Sequence, residues 1–478
     1  MKKILFVGAE AMPFAATGGL GDVMGSLPAA LAATGEADVR VMLPLYGQVR
    51  DEWRAQMKTE AVFTVRLAWR KLYCGVKSLQ KDGVTYYFID NEYYFKRNAL
   101  YGEYDDGERF AYFCMAALEA LGQIGFYPDV LHAHDWQAAL CPVYLDCVYR
   151  AHPGYGDIKT VFTIHNIEYQ GKYSFAILGD VFSLGDGEHN RMDWDGCINL
   201  MKGAIVTADK ISTVSPRYAE EICTAEYSHG LSPILRENAH KLCGILNGID
   251  YVYYDPSKDA LEGFVNFGPR SFHKKEGNKL ALQREVGLPV RADVPMLSVI
   301  SRLVAHKGLD IVAAMIERLL CERDVQLVIL GKGDVRFEQF FTTLEAQYPE
   351  KVRTLLKYDR DLAKRIYAAT DIFLMPSKSE PCGLSQMIAS RYGAIPVVRE
   401  TGGLFDSIKP YWEENGKIHG NGFTFADYSG DVLLGRSKAA VDLWNDEERR
   451  NTLISKIMRT DFSWKASAQG YMQMYSDL

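Results

Sequence analysis

The fold of this chain is decided by a glycine-rich turn that reads Ala15-Ala16-Thr17-Gly18-Gly19-Leu20-Gly21-Asp22-Val23-Met24-Gly25. The segment before it, residues 3–8, is an apolar run typical of a short buried strand. After the turn, apolar residues recur at helical spacing, at Leu20, Val23, Leu27 and Leu31. Glycines let a ligand approach the backbone, and free N–H groups at the start of a helix favour an anion. The turn therefore predicts the first strand, loop and helix of a doubly wound α/β domain that binds a phosphate-bearing ligand.

A second loop, Thr401-Gly402-Gly403-Leu404, repeats part of this turn near the other end of the chain. The chain has 478 residues, which is too long for one ordinary core. Size and repetition together predict an α/β protein with two doubly wound Rossmann-like domains that face one interdomain cleft. We expect a first domain at residues 1–245 and a second domain at 246–460. A final helix at 461–478 carries aromatic side chains on one face and is expected to pack back on the first domain.

Composition excludes several classes of function. The formal net charge is −7, which argues against a protein that binds nucleic acid or anionic lipid. No apolar segment is long enough to span a bilayer, and the first apolar run breaks at Glu10, so it reads as a strand and not as a signal peptide. The nine cysteines form no C-x-x-C pair, which predicts neither a disulfide framework nor a zinc ribbon. We therefore expect a cytoplasmic protein with no nucleic-acid or membrane partner.

Polar residues end two apolar strands in the first half of the chain. Asp135 follows one strand and His165 ends the next. In open parallel sheets, ligands bind outside the carboxyl ends of the strands, so both residues are candidates for the site. The nearby pair His132 and His134 could suggest a metal, but no third ligand is evident in the sequence, and no metal is expected.

Charged residues follow two strands in the second half. Arg302 and Lys307 lie in the loop after the strand at 296–301, and a diphosphate needs such cations when no metal is present. Glu380 precedes Pro381, which holds it in extended conformation at the end of the strand at 372–375. The alternatives are an exposed basic loop for the two cations and a helix cap for Glu380.

A dinucleotide site is a further alternative for the opening turn. Gly19, Gly21 and Gly25 miss the usual dinucleotide spacing by one residue, and the second strand, at 38–44, ends without a ribose-binding acid. Both observations argue against nicotinamide or flavin, and we expect no cofactor.

Taken together, these motifs resemble those of the bacterial glycogen synthases and plant starch synthases, which are retaining glucosyltransferases of the GT-B fold. The resemblance covers nearly the whole chain and rests on residues 17–23, 134–136, 162–166, 214–216, 246–248, 301–303, 307–308, 380–383 and 401–404. It implies transfer of glucose from ADP-glucose to the nonreducing end of glycogen or another α-1,4-glucan, with retention of configuration. The resemblance implies no metal.

The resemblance also implies roles for the two domains, with residues 1–245 on the acceptor side and residues 246–460 binding the nucleotide sugar, and roles for individual residues. Arg302 and Lys307 would bind the donor diphosphate, and Tyr358 would lie against the adenine. Glu380, Asp135 and His165 would contact the transferred glucose. The remaining donor-binding positions would be Ala16, Gly18, Gly19, Asn247, Gly331, Cys382, Gly383, Leu384, Thr401, Gly402 and Gly403.

Two positions depart from related patterns. Ala16 stands where the family has lysine, and a charge-assisted contact of that kind is worth ~1.5–3 kcal/mol. Lys332 could compensate in part. The alternative function is a glucan-binding paralogue with weak or altered donor use. Ile388 stands where a broader GT-B group has a second glutamate, which favours the synthase family.

The sequence leaves open whether the donor is ADP-glucose or UDP-glucose and whether the mechanism is front-face or covalent. It also leaves open the oligomeric state and the length of the acceptor chain.

Overall fold

The computed structural model describes residues 1–478, and their contacts divide the chain into two compact units. The first unit comprises Met1–Gly248 together with Trp464–Leu478, and the second comprises Ile249–Ser463. The first unit ends at Gly248, where the sequence placed a boundary at 245. Asn247 therefore belongs to the first unit.

The strands of the first unit form one large sheet and a small one. In chain order they are β1 (Lys2–Val7), β2 (Ala37–Pro44), β3 (Lys58–Leu67), β4 (Arg70–Lys81), β5 (Val84–Asp90), β6 (Val130–His134), β7 (Lys159–Ile164), β8 (Lys172–Tyr173), β9 (Asp193–Trp194), β10 (Cys197–Asn199), β11 (Lys210–Thr213) and β12 (Leu242–Gly244). The large sheet has the order β12-β11-β7-β6-β1-β2-β5-β4-β3. All its pairs are parallel except β5 with β4 and β4 with β3, which are antiparallel.

The centre of this sheet is buried on both faces, as parallel strands covered by helices usually are. Ile4–Val7 of β1 are fully buried, which is why that strand reads as a continuous apolar run. The helices of this unit, besides the C-terminal one, are α1 (Gly19–Ala32), α2 (Asp51–Arg54), α3 (Glu92–Phe95), α4 (Asp106–Ile124), α5 (Asp135–Ala138), α6 (Leu140–Tyr144), α7 (His189–Met192), α8 (Leu200–Thr207), α9 (Pro216–Glu221) and α10 (Ser232–Glu237).

The second unit repeats the α/β alternation. Its strands are β13 (Met296–Ile300), β14 (Gln326–Leu330), β15 (Val352–Leu355), β16 (Ile372–Met375), β17 (Ile395–Arg399), β18 (Trp412–Glu414), β19 (Lys417–His419) and β20 (Phe423–Phe425). Six of them form a sheet with the order β15-β14-β13-β16-β17-β20, in which every pair is parallel. The helices are α11 (Lys275–Val286), α12 (Leu309–Glu322), α13 (Val335–Gln347), α14 (Arg360–Ala369), α15 (Ser385–Arg391), α16 (Gly402–Ser407), α17 (Gly430–Trp444) and α18 (Glu447–Arg459).

The C-terminal helix, Trp464–Ser476, is part of the first unit and packs on α1. Its aromatic face is buried: Tyr471 and Tyr475 are fully covered, and Trp464 is 6% exposed. The Ser467 hydroxyl donates to the carbonyl of Leu246 at 2.6 Å, which ties the start of the helix to the end of the preceding first-unit segment.

Three elements differ from the sequence-based assignment. The aromatic-rich sequence from Tyr46 to about Tyr104 predicts a less regular region with strand-like pieces at 62–67 and 85–89, but the long strand β4 forms between these two pieces. The sequence pattern at 196–208 predicts a helix from Gly196, but the helix begins only at Leu200, because Cys197–Asn199 pair as a strand. The pattern at 110–122 predicts a helix that stops at Gly122, but the helix continues to Ile124 and ends on Gly125, whose φ of +63° gives the left-handed turn that favours glycine.

The helices of both units are too short or too polar to cross a membrane.

Candidate active site

Three neighbouring strands of the first unit lead into predicted site residues. Strands β1, β6 and β7 lie side by side in the large sheet. The glycine-rich loop follows β1, Asp135 follows β6, and His165 follows β7. The carboxyl ends of parallel strands meet at one edge of a sheet, so these residues share that edge although they are far apart in the chain.

The glycine-rich loop is fastened by a buried carboxylate, Glu10, which is 2% exposed. Its Oε2 accepts hydrogen bonds from the backbone N–H of Thr17 at 2.7 Å and of Gly18 at 3.2 Å. Its Oε1 accepts from the Thr17 hydroxyl at 2.7 Å and from the Tyr101 hydroxyl at 2.6 Å. Buried carboxylates are stable only when they are paired in this way. Glu10 therefore fixes the conformation of the loop.

The tip of the loop is open. Ala16, Gly18 and Gly19 are exposed, and a Cβ added at either glycine would meet no atom within 4 Å. At Gly21 an added Cβ would lie 2.3 Å from the Cβ of Ala16, so glycine is required there. Gly19 begins α1, whose first N–H groups have no partner within the helix. The loop therefore offers open space and a helix start to a ligand, and Ala16 adds no charge.

Asp135 is held in a strained backbone conformation at the end of β6. Its φ is +55°, which is uncommon for a residue with a side chain. Its Oδ1 accepts hydrogen bonds from the backbone N–H of His165 at 2.7 Å and of Asn166 at 3.4 Å. Burial nevertheless raises the pKa of Asp135 to about 7, and the charge of Glu10 acts in the same direction. Near neutral pH this carboxyl group can both accept and release a proton.

This raised pKa predicts a pH-dependent loss of stability. Asp135 keeps its proton in the folded chain up to pH about 7, whereas an unfolded aspartate releases it near pH 4. The unfolded state therefore binds fewer protons between these values, and the free energy of unfolding falls as the pH rises through this window. We expect Asp135→Asn to gain stability relative to the wild type from pH 5 to pH 7, measured by urea unfolding at each pH. Asp51→Asn, at an exposed position on α2, is the control. If the free energies of unfolding of the wild type and Asp135→Asn changed equally with pH, the raised pKa of Asp135 would be contradicted.

Three histidines form a cluster behind Asp135. His134 Nδ1 and His165 Nε2 are hydrogen-bonded at 2.9 Å, and the rings of His132 and His134 have centroids 4.1 Å apart. His132 in turn is bonded through Nδ1 to the Tyr475 hydroxyl at 2.7 Å and through Nε2 to the Thr163 hydroxyl at 2.5 Å. Burial lowers the pKa of His165 to about 3 and those of His132 and His134 well below their ordinary value. All three imidazoles are therefore neutral at neutral pH.

In the second unit, the strand order β14-β13-β16-β17 places four loops at one edge of the sheet. Lys307, after β13, donates from Nζ to Oε2 of Glu380, after β16, at 2.6 Å. The same oxygen accepts the Ser377 hydroxyl at 3.0 Å. The side chains of Lys307 and Glu380 are only 17% and 8% exposed, so the two charges neutralise each other in a largely buried place.

The loop after β17 holds the backbone of this segment. The N–H of Gly403 donates to the carbonyls of Glu380 and Pro381, each at 3.2 Å. A Cβ on Gly402 would lie 1.9 Å from the carbonyl oxygen of Glu380, so only glycine permits this approach. The alternative in which Glu380 caps the following helix is wrong, because Leu384 occupies the N-cap of α15 and the Glu380 carboxylate binds Lys307.

Further cations and an aromatic ring lie on exposed parts of the same edge. Arg302 is exposed and makes no ion pair. Its neighbour Leu303 accepts and donates backbone hydrogen bonds with the loop after β14, which carries the exposed Lys332. Tyr358, after the edge strand β15, is 86% exposed. These side chains are free to meet a ligand.

The other predicted donor-binding residues fall into two places. Asn247 lies in the first unit, where it is 5% exposed and its Oδ1 has no hydrogen-bond partner. The rest lie at the carboxyl edge of the second sheet: Gly331, Cys382, Gly383, Leu384 and Thr401 in the loops after β14, β16 and β17, and Gly402 and Gly403 at the start of α16.

The structure adds site residues that the sequence did not single out as such. Glu10 was visible only as the acid that breaks the first apolar run. His132 and His134 were considered as a possible metal pair, whereas the structure joins them to His165 by ring contact and hydrogen bonding. No group of three or more His, Cys, Asp or Glu side chains is arranged to hold a metal ion.

Two family models match the chain. Residues 3–237 match the starch synthase catalytic domain, and residues 286–457 match the glycosyl transferases of group 1. Among curated proteins, the glycogen synthase of Geobacillus thermodenitrificans is 48% identical over 100% of this chain and 98% of its own length. The glycogen synthase of Streptococcus mutans is 46% identical over 100% of both chains.

Solved structures show the same relationship. The catalytic domain of starch synthase IV from Arabidopsis thaliana, bound to ADP and acarbose, matches with a TM-score of 0.91 and 36% identity. It covers 100% of this chain and 99% of that one. Sucrose-phosphate synthase from Thermosynechococcus elongatus matches with a TM-score of 0.60 and 16% identity over 100% of this chain and 99% of its own, which shows a shared fold.

Proposed function

The chain belongs to the family of glycogen synthases and starch synthases and is a hexosyltransferase of the GT-B fold, and we propose that it transfers glucose from ADP-glucose to the nonreducing end of an α-1,4-glucan. The observation that carries the proposal is the largely buried ion pair of Lys307 and Glu380. It lies at the carboxyl edge of the second sheet, where Arg302 is exposed and makes no ion pair. Such an edge suits a ligand with a diphosphate and a sugar. The choice of ADP rests on the ADP bound to the Arabidopsis starch synthase.

In the proposed reaction, the bond between the anomeric carbon of glucose and the diphosphate oxygen breaks while a hydroxyl of the glucan attacks the same carbon. Arg302 and Lys307 stabilise the negative charge that develops on the departing diphosphate, which is electrostatic catalysis. The departing oxygen takes the proton of the attacking hydroxyl. Leaving group and acceptor occupy one face of the sugar, so the configuration is retained.

The contacts of Glu380 favour this front-face route over a covalent intermediate formed on that carboxylate. Its Oε2 already accepts from the Lys307 ammonium and the Ser377 hydroxyl. Charge-assisted hydrogen bonds of this kind lower the nucleophilicity of a carboxylate. We therefore assign Glu380 to positioning the transferred glucose and Lys307, and assign Asp135 and His165 to hydroxyls of the same sugar.

The remaining assignments follow the placement of the residues. We propose that Tyr358 lies against the adenine, and that the donor contacts Gly18, Gly19, Asn247, Gly331, residues 382–384 and residues 401–403. Open space over Gly18 and Gly19 and the exposure of Tyr358 support these roles. A glucan-binding paralogue without catalysis is not favoured, because the full-length relatives are glycogen synthases.

A donor panel tests the proposed function. The purified chain is incubated with glycogen and either ADP-glucose or UDP-glucose at several concentrations, and release of the nucleotide diphosphate is measured. We expect chain extension, with the higher kcat/KM for ADP-glucose. If neither donor released its nucleotide diphosphate, the proposal would be overturned. A higher kcat/KM for UDP-glucose than for ADP-glucose would overturn the choice of ADP.

Ala16→Lys is expected to lower the KM for ADP-glucose about tenfold, because a charge-assisted contact to phosphate is worth ~1.5–3 kcal/mol and each 1.4 kcal/mol is a factor of ten. Ala16 is exposed, so the longer side chain has room without displacing the loop. Ala16→Met adds similar length without charge and should leave the KM near that of the wild type. An equal change in both variants would show that charge is not the cause.

A further inference from the structure

The ring of His134 is held in a fixed orientation. It stacks on Phe6 with centroids 5.0 Å apart and an interplanar angle of 16°, and the ring of His132 covers it from a centroid distance of 4.1 Å. His132 is itself held at both nitrogens, by Tyr475 and by Thr163. His134 is fully buried, so its two nitrogens have defined surroundings.

Those surroundings differ sharply between the two nitrogens. Nδ1 of His134 shares a hydrogen bond of 2.9 Å with Nε2 of His165. Nε2 of His134 is buried and has no hydrogen-bond partner. Since both imidazoles are neutral, each carries one proton, and only two arrangements make the shared hydrogen bond. Either His134 donates from Nδ1, or His165 donates from Nε2.

The buried nitrogen distinguishes the two arrangements. If His165 donated, the proton of His134 would lie on the partnerless Nε2, and an N–H donor would be buried without an acceptor. If His134 donates, the partnerless Nε2 carries only a lone pair. Burying a polar group without its hydrogen bond is costly, and orphaned buried N–H groups are rarer than orphaned acceptors. The arrangement in which His134 donates from Nδ1 is therefore favoured.

We propose that His134 is a positioning residue for the transfer reaction: it donates from Nδ1 to Nε2 of His165, and so keeps the proton of His165 on Nδ1, where it donates to a hydroxyl of the donor sugar. This inference rests on the proposed function. His165 Nδ1 has no partner within the chain, and His165 is half-buried, so this nitrogen is available to a ligand.

The arrangement gives a complementary pair of groups at the ends of β6 and β7. Oδ1 of Asp135 is occupied by the backbone N–H groups of His165 and Asn166, which leaves Oδ2 as the open oxygen, and this oxygen is an acceptor once the carboxyl group has lost its proton. Nδ1–H of His165 is the open donor. A sugar hydroxyl that accepts from His165 and a neighbouring hydroxyl that donates to Asp135 would satisfy both groups, which gives selectivity for a correctly oriented hexose.

The position of the proton can be measured without substrate. In the full chain labelled with ¹⁵N-histidine, long-range ¹H–¹⁵N correlation spectra distinguish a protonated Nδ1 from a protonated Nε2, and a His165→Asn spectrum assigns the signal. We expect wild-type His165 to carry its proton on Nδ1. A proton on Nε2 would overturn the inference.

Variants at His134 test whether it sets this state. His134→Leu removes the donor, and we expect the His165 proton to redistribute to Nε2 and kcat/KM for ADP-glucose to fall about tenfold, with the KM for glycogen unchanged. His134→Asn places an amide N–H near the former Nδ1 and should restore both properties in part. If His165 stays protonated on Nδ1 in His134→Leu, the role of His134 is refuted. A wild-type chain with this proton on Nδ1 that transfers glucose from no donor would overturn the proposed function, while the proton arrangement would stand.

Discussion

Replacing Glu380 with glutamine is expected to lower kcat for glucose transfer about a hundred- to a thousandfold, the range seen when one preorganised electrostatic partner of a reaction is removed. Glutamine keeps the shape of the side chain but loses the negative charge that holds the Lys307 ammonium 2.6 Å away. Lys307 then has no fixed position from which to stabilise the departing diphosphate. The measurement is the initial rate of ADP release with saturating ADP-glucose and glycogen.

The control for this variant is Ser377→Ala, which removes only the second hydrogen bond to the same carboxylate oxygen. That loss leaves the ion pair intact and should cost no more than about tenfold in kcat. Calorimetric binding of ADP to Glu380→Gln separates a folded but slow enzyme from an unfolded one. Retention of the wild-type kcat would show that the ion pair does not serve catalysis.

Deleting Trp464–Leu478 is expected to unfold the first unit. The deletion uncovers the apolar surface on which Trp464, Tyr471, Met474 and Tyr475 pack, all of them 6% exposed or less. At roughly 1.5–3 kcal/mol for each side chain, their burial contributes on the order of 10 kcal/mol, which is comparable with the whole stability of a typical domain. His132 also loses its Tyr475 partner.

Limited proteolysis and thermal unfolding measure this effect. We expect a protease-resistant fragment from the second unit, whose residues 249–463 are continuous, and loss of the protection of the first unit. Removing only Asp477 and Leu478 is the control and should leave both units protected. Equal protection of the first unit with and without the helix would contradict this role for it.

Sequence periodicity predicted the sheet where strands are buried on both faces. Ile4–Val7 and the run at 130–134 read as strands because every residue there is covered. Strand β4 was missed because it pairs antiparallel between β3 and β5, its buried residues come in irregular groups, and four of its twelve positions are lysine or arginine. Its start follows a turn at Ala68, where φ is +51° and the residue type gives no signal.

The start of helix α8 shows another limit of prediction from local sequence. Its sequence continues the helical pattern back to Gly196, but Cys197 and Ile198 pair with β9, and the Asn199 side chain accepts from the N–H of Lys202 as a cap. Asn199 also donates to Gln170, which lies 29 residues earlier. Such contacts are non-local, so a single stretch of sequence cannot reveal them.

At the site too, local sequence patterns located some residues, whereas non-local contacts stayed hidden. The strand ends located Asp135, His165, Lys307 and Glu380, because a parallel sheet brings its carboxyl ends to one edge. The partners that hold these residues could not be found in that way. His134 meets His165 across 31 positions, and His132 meets Tyr475 across 343, through contacts that only the folded first unit creates.

The first unit is discontinuous in the chain, and this has a consequence for biosynthesis. As the nascent chain leaves the ribosome, residues 1–248 emerge before the second unit, yet the helix that completes their unit is translated only after residue 463. At typical translation rates, synthesis of the intervening second unit takes on the order of tens of seconds. During that interval the apolar patch on α1 remains uncovered. We therefore expect the newly made first unit to need protection by chaperones until residues 464–478 have emerged, whereas the second unit can fold as soon as residues 249–463 have emerged.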